Sequence, residues 1–166
     1  VGMSGRVALV TGGTGGIGRH LARHMAARGA RKLVLTGRRG PDTPGARELA
    51  DELTARGVET VLVACDVTER DQVATLLAEH PADTVIHAAG AAQATALADC
   101  EETELAAVTA AKTEGARHLD ELAGDVGTFV RFSSGAGVWG GAGQAAYAAG
   151  NAVLDAARAA LALPGT

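Results

Sequence analysis

The sequence predicts an α/β fold, a doubly wound parallel sheet (Rossmann-like). Three observations carry that expectation. Short apolar runs alternate with amphipathic stretches from one end of the chain to the other. The runs are continuously apolar, as in strands covered on both faces, and do not alternate with polar residues. A glycine-rich turn separates the first run from the first amphipathic stretch.

Val7–Val10 is a run of strand formers, followed by a helix carrying Ile17, Leu21, Met25 and Ala26 on its apolar face and ending at Gly29. Leu33–Leu35 is the second strand. The segment Gly40-Pro41-Asp42-Thr43-Pro44-Gly45 reads as a turn before a helix holding Ala46, Leu49, Ala50 and Leu53, which stops at Gly57. Val61–Ala64 leads to a helix with Val73, Leu76 and Leu77, stopped near Pro81. Thr84–His87 leads through a loop to a long helix with Leu105, Val108, Leu119 and Leu122. Phe129–Phe132 leads to a glycine-rich loop and a last helix from about Ala145 to Leu161. Five βα units in series are expected to cross over right-handed.

With 166 residues the chain is long enough for one domain with a real core. Apolar residues make up 47% but aromatics only 2%, so small aliphatic residues must do the packing. The net charge of −4 and the lack of a basic block point away from a nucleic-acid surface or a polybasic membrane patch. The alanine-rich tail from Ala145 is broken by Asn151, Asp155 and Arg158 and does not read as a membrane span. Cys65 and Cys100 form neither a CxxC pair nor a metal-ligand cluster and read as reduced thiols of a cytoplasmic protein.

The glycine-rich turn is the first motif with chemical content. Thr11-Gly12-Gly13-Thr14-Gly15-Gly16-Ile17-Gly18 has glycines spaced one residue wider than the common GxGxxG pattern. Placed between a strand and a helix, such a turn lets the main chain approach a pyrophosphate, and the helix N-terminus offers it free N–H groups. Sheets that bind NAD carry a carboxylate at the end of the second strand for the ribose hydroxyls. Here that strand ends in Arg38-Arg39, two guanidinium groups suited to a 2′-phosphate, so the cofactor expected is NADPH. Asp66, just after the third strand, could accept from an adenine amine, or cap the following helix together with Thr68.

A second constellation lies further along. Tyr147, the only tyrosine, begins the last helix with Asn151 four residues on, so both share one face. Ser133 and Ser134 stand at the end of the fifth strand, on the edge of the sheet where ligands bind in this architecture. Lys112 falls on the same helical stripe as Leu105, Val108 and Leu119, which puts a charge on a face that should be buried, or one that snorkels at its edge. A phenol is a reluctant acid at neutral pH, and a nearby ammonium favours its anion.

These residues resemble the short-chain dehydrogenase/reductases and, within them, the ketoreductase domains of modular polyketide synthases. The resemblance rests on the glycine loop, Leu33–Gly40, Ala64-Cys65-Asp66-Val67, His87-Ala88-Ala89-Gly90, and Phe132-Ser133-Ser134 through Gln144 to Tyr147 and Asn151. General members place lysine four residues after the tyrosine. Here Asn151 holds that position and a lysine stands upstream, an exchange that looks like the synthase ketoreductases, with Lys112 on the preceding helix. The resemblance implies hydride delivery from NADPH to the β-carbonyl of an acyl chain tethered to an acyl carrier protein. Tyr147 would donate the proton, Ser134 hydrogen-bond the carbonyl, Lys112 perturb Tyr147, and Asn151 support the relay. Thr11, Gly12, Gly13, Thr14, Gly15, Gly16, Ile17, Gly18, Arg38, Arg39, Asp66, Val67, Ala88, Ala89 and Gly90 would bind the cofactor.

Two further positions bear on stereochemistry. One subgroup carries Leu-Asp-Asp after the fourth strand, where this chain has Ala92-Gln93-Ala94. The other has tryptophan eight residues before the tyrosine, and Trp139 fits. The resemblance therefore implies an A-type reductase giving the L-configured hydroxyl, with Gln144 implying an unepimerised α-substituent. Residues 1–166 are expected to be the NADP-binding catalytic subdomain, C-terminally incomplete: a sixth strand would begin near Leu163, and the last strands, the lid and the cofactor-free structural subdomain are not in the sequence. That structural subdomain and other synthase domains are the partners implied, with neither nucleic acid nor membrane. A noncatalytic NADP-binding or structural domain of the same synthase is the rival expectation. Intact Lys112, Ser134, Tyr147 and Asn151 argue against it.

Overall fold

A computed structural model describes residues 2–161, with side chains described through residue 157. The elements run β1 (Val7–Thr11), α1 (Gly16–Ala27), β2 (Lys32–Gly37), α2 (Ala46–Ala55), β3 (Glu59–Ala64), α3 (Arg70–Glu79), β4 (Thr84–His87), α4 (Glu102–Leu122), β5 (Thr128–Arg131), α5 (Ala136–Trp139) and α6 (Ala145–Leu161). The five strands form one parallel sheet in the order β3-β2-β1-β4-β5. This is the doubly wound fold that the alternating pattern predicts. Residues 162–166, where a further strand was expected to begin, lie outside the described residues.

The continuous apolar runs supply two cores at once, because successive strand residues point to opposite faces. Ala8, Val10, Leu33 and Leu35 pack with Ala22, Met25, Leu49 and Leu53 of α1 and α2. Leu9, Val34 and Val85 pack on the other face with Val73, Leu76 and Leu119 of α3 and α4. α6 lies against α4, and α5 against α6.

Strand order reverses between β1 and β4. The chain leaves β1 outward to β3 and then returns to pair β4 with β1, Thr11 beside His87. Past their first residues the connections from these two strands lead to helices on opposite faces of the sheet, which opens a crevice at the strands' carboxyl ends.

Three details differ from the periodicity. Ile17 was expected on the buried face of α1 but is 56% exposed, because the first turn of α1 stands above the sheet edge and faces the crevice. Leu105 is exposed as well, lying in the first turn of α4 ahead of the buried Val108, Lys112 and Leu119. The glycine-rich stretch before α6 contains the short helix α5, too brief to leave a periodic signal.

Candidate active site

The crevice is a cleft of about 570 Å³ walled by the start of α1, the ends of β4 and β5, and the start of α6. Gly12, Gly15, Gly16, Ile17 and Gly18 form one side. Gly12 has φ +67°, and a Cβ there would lie 2.8 Å from the Ala88 carbonyl oxygen and the Ala89 nitrogen. The β1 and β4 loops therefore meet backbone to backbone, which only glycine permits. Around Gly16 no atom lies within 4 Å of an added Cβ, so the main chain faces open space. Thr11, Gly13 and Thr14, expected in the same loop, line neither this cleft nor its neighbour. Thr11 Oγ1 lies 2.7 Å from His87 Nδ1, and the Thr14 carbonyl accepts from Arg19 Nε at 2.8 Å.

A second cleft of about 300 Å³ adjoins the first, sharing Gly12, Gly90 and Ala91. Arg38, Cys65, Asp66, Val67 and Ala89 line it. Arg38 and Arg39 are exposed, and among the described residues neither has a carboxylate within ion-pair distance. Arg39 lies outside the cleft wall. Asp66 Oδ1 accepts from the Thr68 N–H at 3.0 Å and the Thr68 hydroxyl at 2.8 Å, tightening the turn; Glu69, and not Asp66, occupies the cap position of α3. A backbone cradle that a Cβ would fill, a free guanidinium and an apolar slot suit a phosphorylated dinucleotide.

Tyr147, Ser133, Ser134 and Lys112 all line the first cleft. Lys112 is not a snorkelling edge residue. It is 5% exposed, its Cε would lie 3.0 Å from a Cβ at Gly90, and its Nζ donates to the Phe132 carbonyl at 2.5 Å. Burial pushes the ammonium below its ordinary range, and the Asp155 carboxylate partly opposes that. Ser134 Oγ accepts the Ala136 N–H at 3.2 Å, which leaves its own proton available to the cleft. Asn151 is buried behind the wall, where its Nδ2 donates to the Tyr147 carbonyl at 2.8 Å. Gln144 lines the cleft, whereas Trp139 stands 84% exposed on α5, outside the wall. Ala91, Ala92, Gln93 and Phe132 also line the cleft. Ala91 and Phe132 drew no site assignment from the sequence, because small and apolar residues announce no chemistry, and Ala92 and Gln93 entered only as the stretch where one subgroup carries Leu-Asp-Asp.

His87, at the end of β4, is fully buried. Its Nε2 must donate to the Ala111 carbonyl at 2.9 Å, so Nδ1 accepts from the Thr11 hydroxyl. Burial first, then the Lys112 charge, lowers its pKa to about 4. The unfolded chain binds this proton below about pH 6.5, and the folded protein only below about 4. Stability is therefore lost as the pH falls through that window. Between about pH 7 and pH 4.5 the loss is on the order of 2 kcal/mol. Urea unfolding at the two pH values checks it. His87→Gln should lose markedly less, and an equal loss in that variant would assign the acid sensitivity elsewhere.

Among the described residues no cluster of three metal-ligating side chains occurs, and no helix is long and apolar enough to cross a membrane. Cys65 and Cys100 are free thiols.

A parallel sheet with its glycine-lined crevice at the switch point, and tyrosine, serine and lysine on one wall of it, defines a domain of the short-chain dehydrogenase/reductase type. The chain belongs to the KR domain family, an oxidoreductase family whose sequence model matches residues 7–166. It is 53% identical over 154 residues to erythronolide synthase EryA3 of Saccharopolyspora erythraea, covering 90% of this chain and 5% of that synthase. The first ketoreductase of the tylosin polyketide synthase superposes with a TM-score of 0.89 at 48% identity, over 99% of this chain and 38% of that one. A-type ketoreductases from a modular polyketide synthase superpose with a TM-score of 0.88 at 48% identity, over 98% and 36%. The chain thus spans a small part of the synthase and little more than a third of the solved ketoreductases.

Proposed function

We propose that residues 1–166 are the NADP-binding catalytic subdomain of a polyketide synthase ketoreductase. The reaction is reduction of the β-keto group of an acyl chain carried by an acyl carrier protein, giving a β-hydroxyl. The observation that carries this reading is the presence of Tyr147, Ser134 and Lys112 on the wall of the cleft that continues into the glycine-lined trough.

In this reading Gly12, Gly15, Gly16 and the start of α1 hold the pyrophosphate, and Arg38 with Arg39 holds the 2′-phosphate. Asp66 and Val67 flank the adenine, and Ala88, Ala89 and Gly90 flank the rest of the cofactor. NADPH, when bound, supplies the hydride. Ser134 donates its hydroxyl proton in a hydrogen bond to the substrate carbonyl oxygen. Tyr147 gives that oxygen a proton as the carbon is reduced. Lys112 places a positive charge in the same low-dielectric cleft, where it stabilises the phenolate left behind. Asn151 fixes the helix turn that carries Tyr147 and supports the proton relay. Trp139 matches the A-type pattern, so the product is the L-configured alcohol, and Gln144 fits an unepimerised α-substituent. The partners are the carrier-tethered acyl chain, a structural subdomain and other synthase domains, in the cytoplasm.

The test is NADPH oxidation by the full-length protein with a soluble β-ketoacyl thioester. NADH should serve about 10- to 100-fold less well, the value of one or two charge-assisted hydrogen bonds to the 2′-phosphate. Arg38→Ala should narrow that preference about tenfold. No reduction by the parent protein, or a preference for NADH, would overturn the reading.

A further inference from the structure

We infer that Gln93 is a positioning residue for Tyr147, an inference that rests on the ketoreductase reading of the cleft. Gln93 lies in the segment between β4 and α4, far from Tyr147 in sequence, and is 7% exposed. Its Oε1 accepts the Tyr147 backbone N–H at 3.1 Å. Its Nε2 donates to Glu104 Oε1 at 3.3 Å and reaches Cys100 Sγ at 3.3 Å. Glu104 Oε1 also accepts the Thr95 hydroxyl at 2.7 Å, and the Thr95 N–H donates to the Gly143 carbonyl at 3.0 Å.

The need for this link follows from helix chemistry. Tyr147 is the third residue of α6, so its N–H is one of the four without a partner inside the helix. Gln144, immediately before the helix, is not a good N-cap residue. The acceptor is supplied instead by a distant loop. Tyr147 is then held on both sides of its Cα, by Gln93 at its N–H and by Asn151 at its carbonyl. The side chain here must accept from Tyr147 and donate to the Glu104 carboxylate at once, which the Gln93 amide does. A displacement of the phenol by about 1 Å can cost up to about a hundredfold in rate.

The test is a reciprocal exchange in the full-length protein. Gln93→Glu keeps an acceptor for Tyr147 but sets two carboxylates against each other. Adding Glu104→Gln restores one donor and one acceptor across the contact. With a soluble β-ketoacyl thioester, Gln93→Glu should lower kcat about tenfold or more while the NADPH Kd stays within about twofold. The double variant should return kcat to within about threefold of the parent. Hydrogen exchange at the Tyr147 amide should speed up in the single variant and slow again in the double. Unchanged kcat and unchanged amide exchange in Gln93→Glu, or no recovery of either in the double variant, would overturn the inference. A parent protein without turnover would instead overturn the ketoreductase reading, and the amide exchange would still decide whether Gln93 clamps the helix.

Discussion

Tyr147→Phe should lower reduction of a β-ketoacyl thioester about 10²- to 10⁴-fold, the usual cost of removing a positioned proton donor. The NADPH Kd should stay within about twofold, since the glycine loop and Arg38 approach the trough from other elements. Little else changes in this variant. The backbone of residue 147 is held by Gln93 and Asn151 whatever its side chain, and no hydrogen bond of the phenol oxygen to another described residue is lost. The unfolding midpoint should therefore move by no more than about 2 °C. Steady-state kinetics with a cofactor-binding titration separates the two effects. Turnover within threefold of the parent would show that the proton comes from another group.

Gly18→Ala should be the most damaging single methyl in the trough. A Cβ at Gly18 would lie 2.1 Å from the Gly12 carbonyl oxygen and 2.6 Å from Gly13 Cα, both backbone atoms. The loop cannot move aside easily. Gly13 N–H is bonded to the Thr36 carbonyl, Gly15 N–H to the Gly12 carbonyl, and Gly12 already touches the β4 loop. Overpacking of this kind costs about 3 kcal/mol, so the unfolding midpoint should fall by about 6–10 °C. NADPH affinity should fall more than tenfold, because the shifted atoms belong to the loop proposed to hold the pyrophosphate. Gly16→Ala is the control: with nothing near its Cβ it should leave the midpoint almost unchanged and weaken cofactor binding alone. Equal midpoints for the two variants would mean that α1 is not seated on the loop as described.

The two variants differ in how legible their sites were. The glycine loop could be read because its parts are local: strand, turn and helix start lie within a dozen residues, and the turn itself demands glycine. The strands were legible because burial on both faces writes itself as unbroken apolar runs, here Val7–Val10 and Leu33–Leu35. Helical spacing marked Lys112 as a charge on an apolar stripe, but could not separate a buried cation from a snorkelling one. Hydrophobicity likewise could not distinguish Ile17, facing the crevice, from Met25, facing the core. The sequence marked Gln93 only as part of the stretch where one subgroup carries Leu-Asp-Asp, and gave no sign of its contact with Tyr147, since it sits in irregular chain where no period applies.

The sequence by itself determined the elements, their order, the glycine loop and the candidate side chains of the site. Each follows from local backbone preference and from which residues water rejects. Only the tertiary structure decided that Lys112 is buried with its Nζ on the Phe132 carbonyl, and that Gln93 accepts the Tyr147 N–H. Those two contacts join residues 20 and 54 positions apart. They exist because α6 packs on α4 and because the strand order reverses beside β4, and both are properties of the packed sheet.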